Sequence, residues 1–338
     1  MAPDYLRNMV AYTAWADGRV LDAAAHLTDG QLAAEAGGSR GSLLDNLRHV
    51  AGAQARWHQR IRGLPIEPQP DAPANRLADW LRDLFAGTHA DLDALVAPLS
   101  DDDAGRDVAV GIDALRRKQW PLWQLVAHVT LHSTQHRAET AVALTALGAS
   151  PGDLDYGHFV DERHSASPGT LDMMRALYGF NRWGNTRILA KLAGLEDGEL
   201  LAPRGLSHGS IGIDLAHAML AERGWLSIWQ SGAPEVELPR PAGGGHLDNL
   251  VAAFASVDDA IDGFIALLPP DELGTMRVDN ADAHNPSVEK ARALPLWDMM
   301  FHVVNHTMQH RAETAQALTA LGRSPGDLDL LEYLDTAE

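Results

Sequence analysis

The chain holds sixteen histidines and no cysteine, so metal or acid–base chemistry here must rest on imidazoles and carboxylates. Eight histidines form two related sets: His49, His128, His132 and His136, then His217, His302, His306 and His310. Residues i and i+4 of a helix lie about 40° apart around the axis and about 6 Å apart along it. Two histidines so spaced can aim at one point, as in HExxH helices that bind zinc. His128 and His136 are about 12 Å apart, too far to share an ion comfortably. The pair is therefore 128/132 or 132/136, and spacing leaves the choice open. A third ligand must come from another helix, and His49 and His217 are the duplicated histidines that can supply it. Three neutral imidazoles leave a position for water or substrate, the composition of a catalytic rather than a structural zinc site. The competing reading is a set of buried, hydrogen-bonded core histidines, and four per copy kept in both copies weigh against it. The other eight (His26, His58, His89, His158, His164, His208, His246 and His284) have no histidine at the matching position and read as solvated or capping residues.

These sets lie within an internal duplication. Residues 128–155, HVTLHSTQHRAETAVALTALGASPGDLD, match 302–329, HVVNHTMQHRAETAQALTALGRSPGDLD, at 22 of 28 positions with an offset of 174. Upstream the match is weaker and the offset is 168: Tyr12 falls on Phe180, Trp15 on Trp183, Ser42 on Ser210, His49 on His217 and Trp57 on Trp225. A unit of about 165 residues is a domain rather than a solenoid repeat. We expect one domain over 1–160 and a second over 168–338, joined through the polar stretch 161–169.

The elements that must carry the histidines read as helices. Tyr5, Met9, Tyr12 and Ala16 recur at helical spacing, as do Met173, Leu177, Phe180 and Gly184. A second stripe runs Leu43, Leu47, Val50, Trp57, Ile61, matched by Ile211, Leu215, Ala218, Trp225, Trp229. Third helices are expected over about 74–97 and 247–268, and fourth helices from Pro121 to Leu147 and from Pro295 to Leu321, each closed by a glycine. Period-2 alternation is scarce, which predicts little or no sheet. The fold class is all-α, two tandem up-down four-helix bundles, with long irregular stretches at 63–73, 99–119, 232–245 and 269–293 that can cover a site.

Composition narrows the function. There are 27 Lys+Arg against 46 Asp+Glu, a formal charge of −19, with 46 % hydrophobic and 22 % charged residues. An acidic chain repels phosphate backbones, so nucleic acid and anionic membranes are not expected partners. No stretch approaches the roughly 18 apolar residues of a membrane span, and the start, Met1-Ala2-Pro3-Asp4, is not a signal peptide. The expected setting is cytoplasmic, and the expected partner a small-molecule substrate.

The strings HVTLHSTQHR (128–137) and HVVNHTMQHR (302–311), each followed by Leu-Gly-x-x-Pro, resemble the last helix of the DinB/YfiT-like proteins. LRHVAGAQARW (47–57) and LAHAMLAERGW (215–225) are similar to that family's second helix, and YGFNRWGNTRIL (178–189) to its first. The first copy departs there, reading Tyr12-Thr-Ala-Trp15-Ala-Asp17. The resemblance implies one divalent metal per bundle, held by His49, His132 and His136 in the first copy and by His217, His306 and His310 in the second. His128 and His302 become neighbours rather than ligands. Asn305 before His306 follows the family pattern, whereas Leu131 in the first copy does not, which favours the second copy for activity. It further implies a metal-dependent transferase of a low-molecular-weight thiol to a small electrophile, or alternatively a small-molecule hydrolase or an idle, stress-related metal-binding module. The metal would be zinc, with nickel, iron, copper or manganese also compatible. Family members dimerise, so the two copies are expected to form an internal pseudo-dimer, with homo-oligomers also open.

Other polar residues can serve such a site. A three-histidine centre lowers the pKa of bound water or thiol, and a chain without cysteine must receive its thiol as a cosubstrate. Glu139 and Glu313, three residues after the last histidine, are candidate catalytic bases or acceptors behind the ring, with a salt bridge to Arg137 or Arg311, or to a neighbouring helix, the plainer reading. Asn46 and Asp214 can orient His49 and His217. Gln54 and Glu222 interrupt an apolar stripe and predict a polar contact inside the bundle. Trp15, Trp57, Trp183 and Trp225 read as core. Gly243-Gly244-Gly245 lacks the following Lys-Ser/Thr of a phosphate cradle and reads as a loop.

Overall fold

The computed structural model describes residues 4–38, 40–100, 102–113, 116–162, 169–232, 245–279 and 292–336. His164, His284, most of the 161–169 connection, Gly243-Gly244 and much of the stretches 232–245 and 269–293 lie outside them.

In chain order the elements are α1 (Asp4–Ala24), α2 (Asp29–Ala33), β1 (Glu35–Gly38), β2 (Gly41–Ser42), α3 (Leu43–Arg62), α4 (Leu77–Val96), β3 (Asp107–Asp113), β4 (Arg116–Pro121) and α5 (Leu122–Ala146). The second set is α6 (Tyr156–Glu162), α7 (Leu171–Leu192), α8 (Asp197–Leu200), α9 (Ile211–Ser231), α10 (His246–Leu267), β5 (Met276–Asp279), β6 (Arg292–Pro295) and α11 (Leu296–Ala320), and α12 (Leu330–Thr336) follows. The long helices begin within about three residues of the positions read from apolar spacing, and all but α1 and α7, which run eight residues past their stripes, end so. Their caps explain this. Ser42 Oγ accepts from the Asp45 amide to open α3, Ser210 Oγ from the Ile213 amide to open α9, and Thr170 Oγ1 from the Met173 amide to open α7. Gly63 closes α3 in the left-handed region, at φ 66°.

Each unit is a four-helix bundle. In the first, α1 and α3 each pack against both α4 and α5; in the second, α7 and α9 each pack against both α10 and α11. The two histidine-bearing helices of each bundle are therefore neighbours, as a shared site requires. Sheet is confined, among the described residues, to three two-stranded antiparallel pairs. The β3–β4 hairpin lies in a stretch read as irregular. Val108 pairs with Trp120, and both, with Val110, turn inward, an alternation too short to stand out in the sequence.

The repeat divides the chain at 160–168, but the compact units divide it elsewhere: Met1–Leu154 with Asp327–Glu338, and Asp155–Gly326. From Asp155 on, the chain that carries α6 thus belongs to the second unit, and from Asp327 on, the chain that carries α12 belongs to the first. Burial explains both. Tyr156 and Phe159 are fully buried, and the Tyr156 hydroxyl donates to Asp298 Oδ1 at 2.8 Å. Leu328 and Leu330 are buried likewise, with α12 packed on α5. That extra cover leaves 17 of the 25 residues of α5 buried, so this helix lacks the solvated face that gives an amphipathic period.

Among the described residues, each interior encloses one arginine. Arg137 Nη1 donates to Asp17 Oδ1 at 2.9 Å. The other carboxylate oxygen accepts from Gln54 Nε2 at 2.7 Å and lies 3.0 Å from His89 Nε2. In the second unit the carboxylate has moved to another helix. Position 17 corresponds to Asn185 and position 54 to Glu222, whose Oε1 accepts from Asn181 (2.8 Å), Asn185 (3.2 Å) and Thr307 (2.9 Å). Arg311 reaches Asn185 Oδ1 at 3.2 Å. Gln54 and Glu222 thus make the interior polar contacts expected of them.

Asp258, on α10, faces this second network. Burial, then Glu222, push its carboxyl from 3.8 up to about 7; Asp262 adds to the shift, while Arg182 and Arg311 oppose it. The folded state then keeps a proton that the unfolded chain has released, so stability falls as pH rises from about 4 to 7 and is level above that. Asp258→Asn removes this loss. Calorimetry should show the variant gaining more in Tm over wild type at pH 8 than at pH 5; an equal gain at both would refute the assignment.

Candidate metal centre

In the first unit α3 carries His49, and α5 carries His128, His132 and His136. Donor atoms of His49, His132 and His136 all lie within 4.8 Å of one another. His49 Nε2 stands 3.3 Å from His132 Nε2, and the His136 ring lies 4.6 Å, centroid to centroid, from each of the other two. Two nitrogens on a tetrahedral zinc at 2.0–2.1 Å are about 3.3–3.4 Å apart, so the donor set fits such an ion. His128 turns away: its Nδ1 lies 3.1 Å from Asp329 Oδ1, and its ring meets the edge of Trp57 at 4.8 Å. Of the two pairs that spacing allowed, 132/136 is the one that converges with His49.

The electrostatics favour neutral His49 and His132, the form that binds metal. Burial first, then His136, Arg40 and Arg56, push His49 down to about 3. Burial likewise carries His132 well below the ordinary histidine value. His136 Nδ1 lies 3.2 Å from Glu139 Oε2, and a carboxylate behind the ring fixes which nitrogen faces forward. Glu139 is thus the acceptor behind the ring. Its expected salt bridge to Arg137 is replaced by the Arg137–Asp17 pair, because residues two apart on a helix do not share a face.

The second unit uses different parts. His217, on α9, lies 4.9 Å from His310 and 5.2 Å from His306, ring to ring. The trio of imidazole donors within 4.8 Å, however, is His208, His217 and His310. His306 falls instead in a group with Asp155 and His302, because its Nδ1 is held 2.9 Å from Asp155 Oδ2. The two groups adjoin, with the His306 and His310 rings 4.6 Å apart. His208, read from sequence as a solvated residue, stacks on His217 at 3.8 Å. Its counterpart at the offset of 168 is Arg40, so no duplicated histidine marked it. Burial, then His306, His310 and His208, push His217 down to about 4.

Asp214 Oδ1 lies 3.0 Å from His310 Nδ1, doing for His310 what Glu139 does for His136. Both Asp214 and Asn46 were expected to orient the histidine on their own helix; both reach across to the fourth helix instead. Asn46, an amide, donates to the His136 carbonyl at 3.0 Å and to Thr140 Oγ1 at 2.8 Å. Glu313 accepts from the Ser207 amide at 2.7 Å, and burial and Asp214 raise its carboxyl. It makes no pair with Arg311, which binds Asn181 and Asn185.

Asp155 and Asp329 were missed in the sequence although they end the duplicated string. Burial opposes ionisation of Asp155, but His306 and His302 more than offset it and hold the carboxyl well below the usual range. Gly157 brings its backbone against His302: the amide donates to His302 Nδ1 at 3.2 Å, and an added Cβ would stand 3.2 Å from that atom. Of the four tryptophans read as core, only Trp57 is buried; Trp15, Trp183 and Trp225 are half-buried. Arg19 and Arg187 lie over Trp15 and Trp183.

Two helical bundles, each gathering imidazoles from its second and fourth long helices with carboxylates behind them, define the class: a helical-bundle protein whose side-chain clusters could hold a metal ion. The sequence model of the DinB family matches residues 1–169 and again 167–338. The chain belongs to the DinB family and is a tandem duplication of its domain. No curated protein and no solved structure matches it significantly. No helix among the described residues is long and apolar enough to cross a membrane.

Proposed function

We propose that each unit holds one divalent cation, zinc in the first instance, and that the protein transfers a low-molecular-weight thiol to a small electrophile. The observation that carries this reading is the convergence of His49, His132 and His136 donors within 4.8 Å. In the second unit the ligands proposed are His217, His306 and His310, with His208 beside them. A bound cation supplies Lewis acidity, bringing the pKa of a thiol or water toward neutrality. The chain's own part is positional. Glu139 and Asp214 hold His136 and His310 by their Nδ1 atoms, leaving Nε2 of each ring for the metal. With no cysteine in the chain, the attacking sulfur must come from the cosubstrate.

Elemental analysis of the purified protein should find one to two equivalents of metal per chain, and His132→Ala combined with His306→Ala should abolish them. Full metal retention in that double variant would remove the ligand assignment. Metal-loaded protein should accelerate conjugation of bacillithiol, mycothiol or glutathione to monochlorobimane. Turnover of ester or amide substrates without any thiol would replace the transferase reading with hydrolysis.

A further inference from the structure

We propose that the first unit binds a small oxyanion, a carboxylate or phosphate carried by its substrate, on Arg40, Arg56 and Arg60, and that the second unit does not. That the anion is part of a substrate, and that Arg40 is released from His49, rest on the metal-centre reading above; the positions of Arg56 and Arg60 do not. His49, Arg56 and Arg60 lie seven and eleven residues apart on α3, two and three turns along one face, with the small Ala53 between. Arg40, in the turn before β2, places Nη2 3.2 Å from His49 Nε2. That lone pair is the one a cation would take, so metal binding frees the Arg40 guanidinium for another acceptor. The Arg60 guanidinium is held over the Trp57 ring at 4.9 Å, and its Nε is buried without a hydrogen-bond partner.

Arg56 lies within electrostatic reach of both other guanidinium groups, and like charges repel. Burial, then Arg60 and Arg40, lower the pKa of Arg56. The chain is rich in carboxylates, and Arg76, Arg82, Arg137 and Arg182 each rest on an aspartate. Among the described residues, none of Arg40, Arg56 and Arg60 has such a partner. A planar oxyanion suits them, because guanidinium groups bind carboxylate and phosphate through paired hydrogen bonds. The duplication supplies an internal control. At the corresponding positions the second unit carries His208, Gly224 and Ile228, although Leu47, His49, Ala53 and Trp57 recur as Leu215, His217, Ala221 and Trp225, so these three guanidinium groups have no counterpart on a helix that keeps the histidine.

Calorimetric titration of the full-length, metal-loaded protein at low ionic strength, with inorganic phosphate and with succinate as probes, tests this. One equivalent per chain should bind, and Arg56→Gln with Arg60→Gln should weaken it by at least about tenfold while metal content and Tm stay unchanged. If that variant loses its melting transition, Arg40→Gln, on an exposed turn, gives the same reading. The tighter probe assigns the oxyanion. Failure of both probes to bind, two equivalents per chain, or affinity unchanged in the variants would overturn the proposal. Arginine-dependent binding by a protein that takes up no metal would refute the metal centre alone, and metal-loaded protein indifferent to both probes would refute the anion site alone.

Discussion

Asp17→Asn should destabilise the first unit by about 3–5 kcal/mol, the cost of leaving a buried charge without its partner. Asp17 and Arg137 are each 2 % exposed, so water cannot replace the lost carboxylate. Gln54 and His89 lose their acceptor in the same step. The second unit shows how the loss can be repaired. There an asparagine already occupies the matching position, and the negative charge sits on Glu222, at the position of Gln54. Adding Gln54→Glu to Asp17→Asn should therefore recover most of the stability in urea unfolding of the full chain. A double variant as weak as the single one would show that the two interiors are not interchangeable solutions to one buried arginine.

Asp155→Ala should weaken metal binding by the second unit about 10- to 100-fold, the usual cost of removing a carboxylate behind a ligating imidazole. The change lies in the string that closes the first repeat, yet its effect is expected on His306, whose Nδ1 it holds at 2.9 Å. Chelator competition in a His132→Ala background reads the second centre by itself. Asp155→Asn, which keeps an acceptor oxygen, should restore part of the affinity, and the cobalt spectrum should shift with the alanine variant only. Asp329→Ala should do less, because Asp329 rests on His128, which is outside the converging trio. Equal affinity in wild type and Asp155→Ala would show that the carboxylate does not position the ring.

These cases show what a sequence can disclose. His132 and His136 were legible because four-residue spacing is a property of one helix, and His49 because the duplication singled it out. Long helices were legible from apolar spacing and caps. His208 was not, since its counterpart is Arg40 and identity between copies cannot mark a position where the copies differ. Asp155 and Asp329 stood in plain view within SPGDLD, but their destination depends on tertiary packing of Tyr156, Phe159, Leu328 and Leu330. Asn46 and Asp214 lay on the expected face, yet helical spacing names a face without saying which neighbour it meets. The β3–β4 hairpin escaped because its alternation spans too few residues.

The division of the chain into Met1–Leu154 with Asp327–Glu338 and Asp155–Gly326 makes the second unit, in connectivity, an insertion into the first. A ribosome finishes all of the inserted body before it releases the strand that completes its host. At about 5–20 residues per second, Asp329 and α12 emerge roughly ten to thirty seconds after Leu154. The first unit is thus begun first and finished last, and α5 must wait for its final cover. The piece to express alone is accordingly 155–326, an uninterrupted stretch that keeps Asp155, rather than the half that the repeat would suggest.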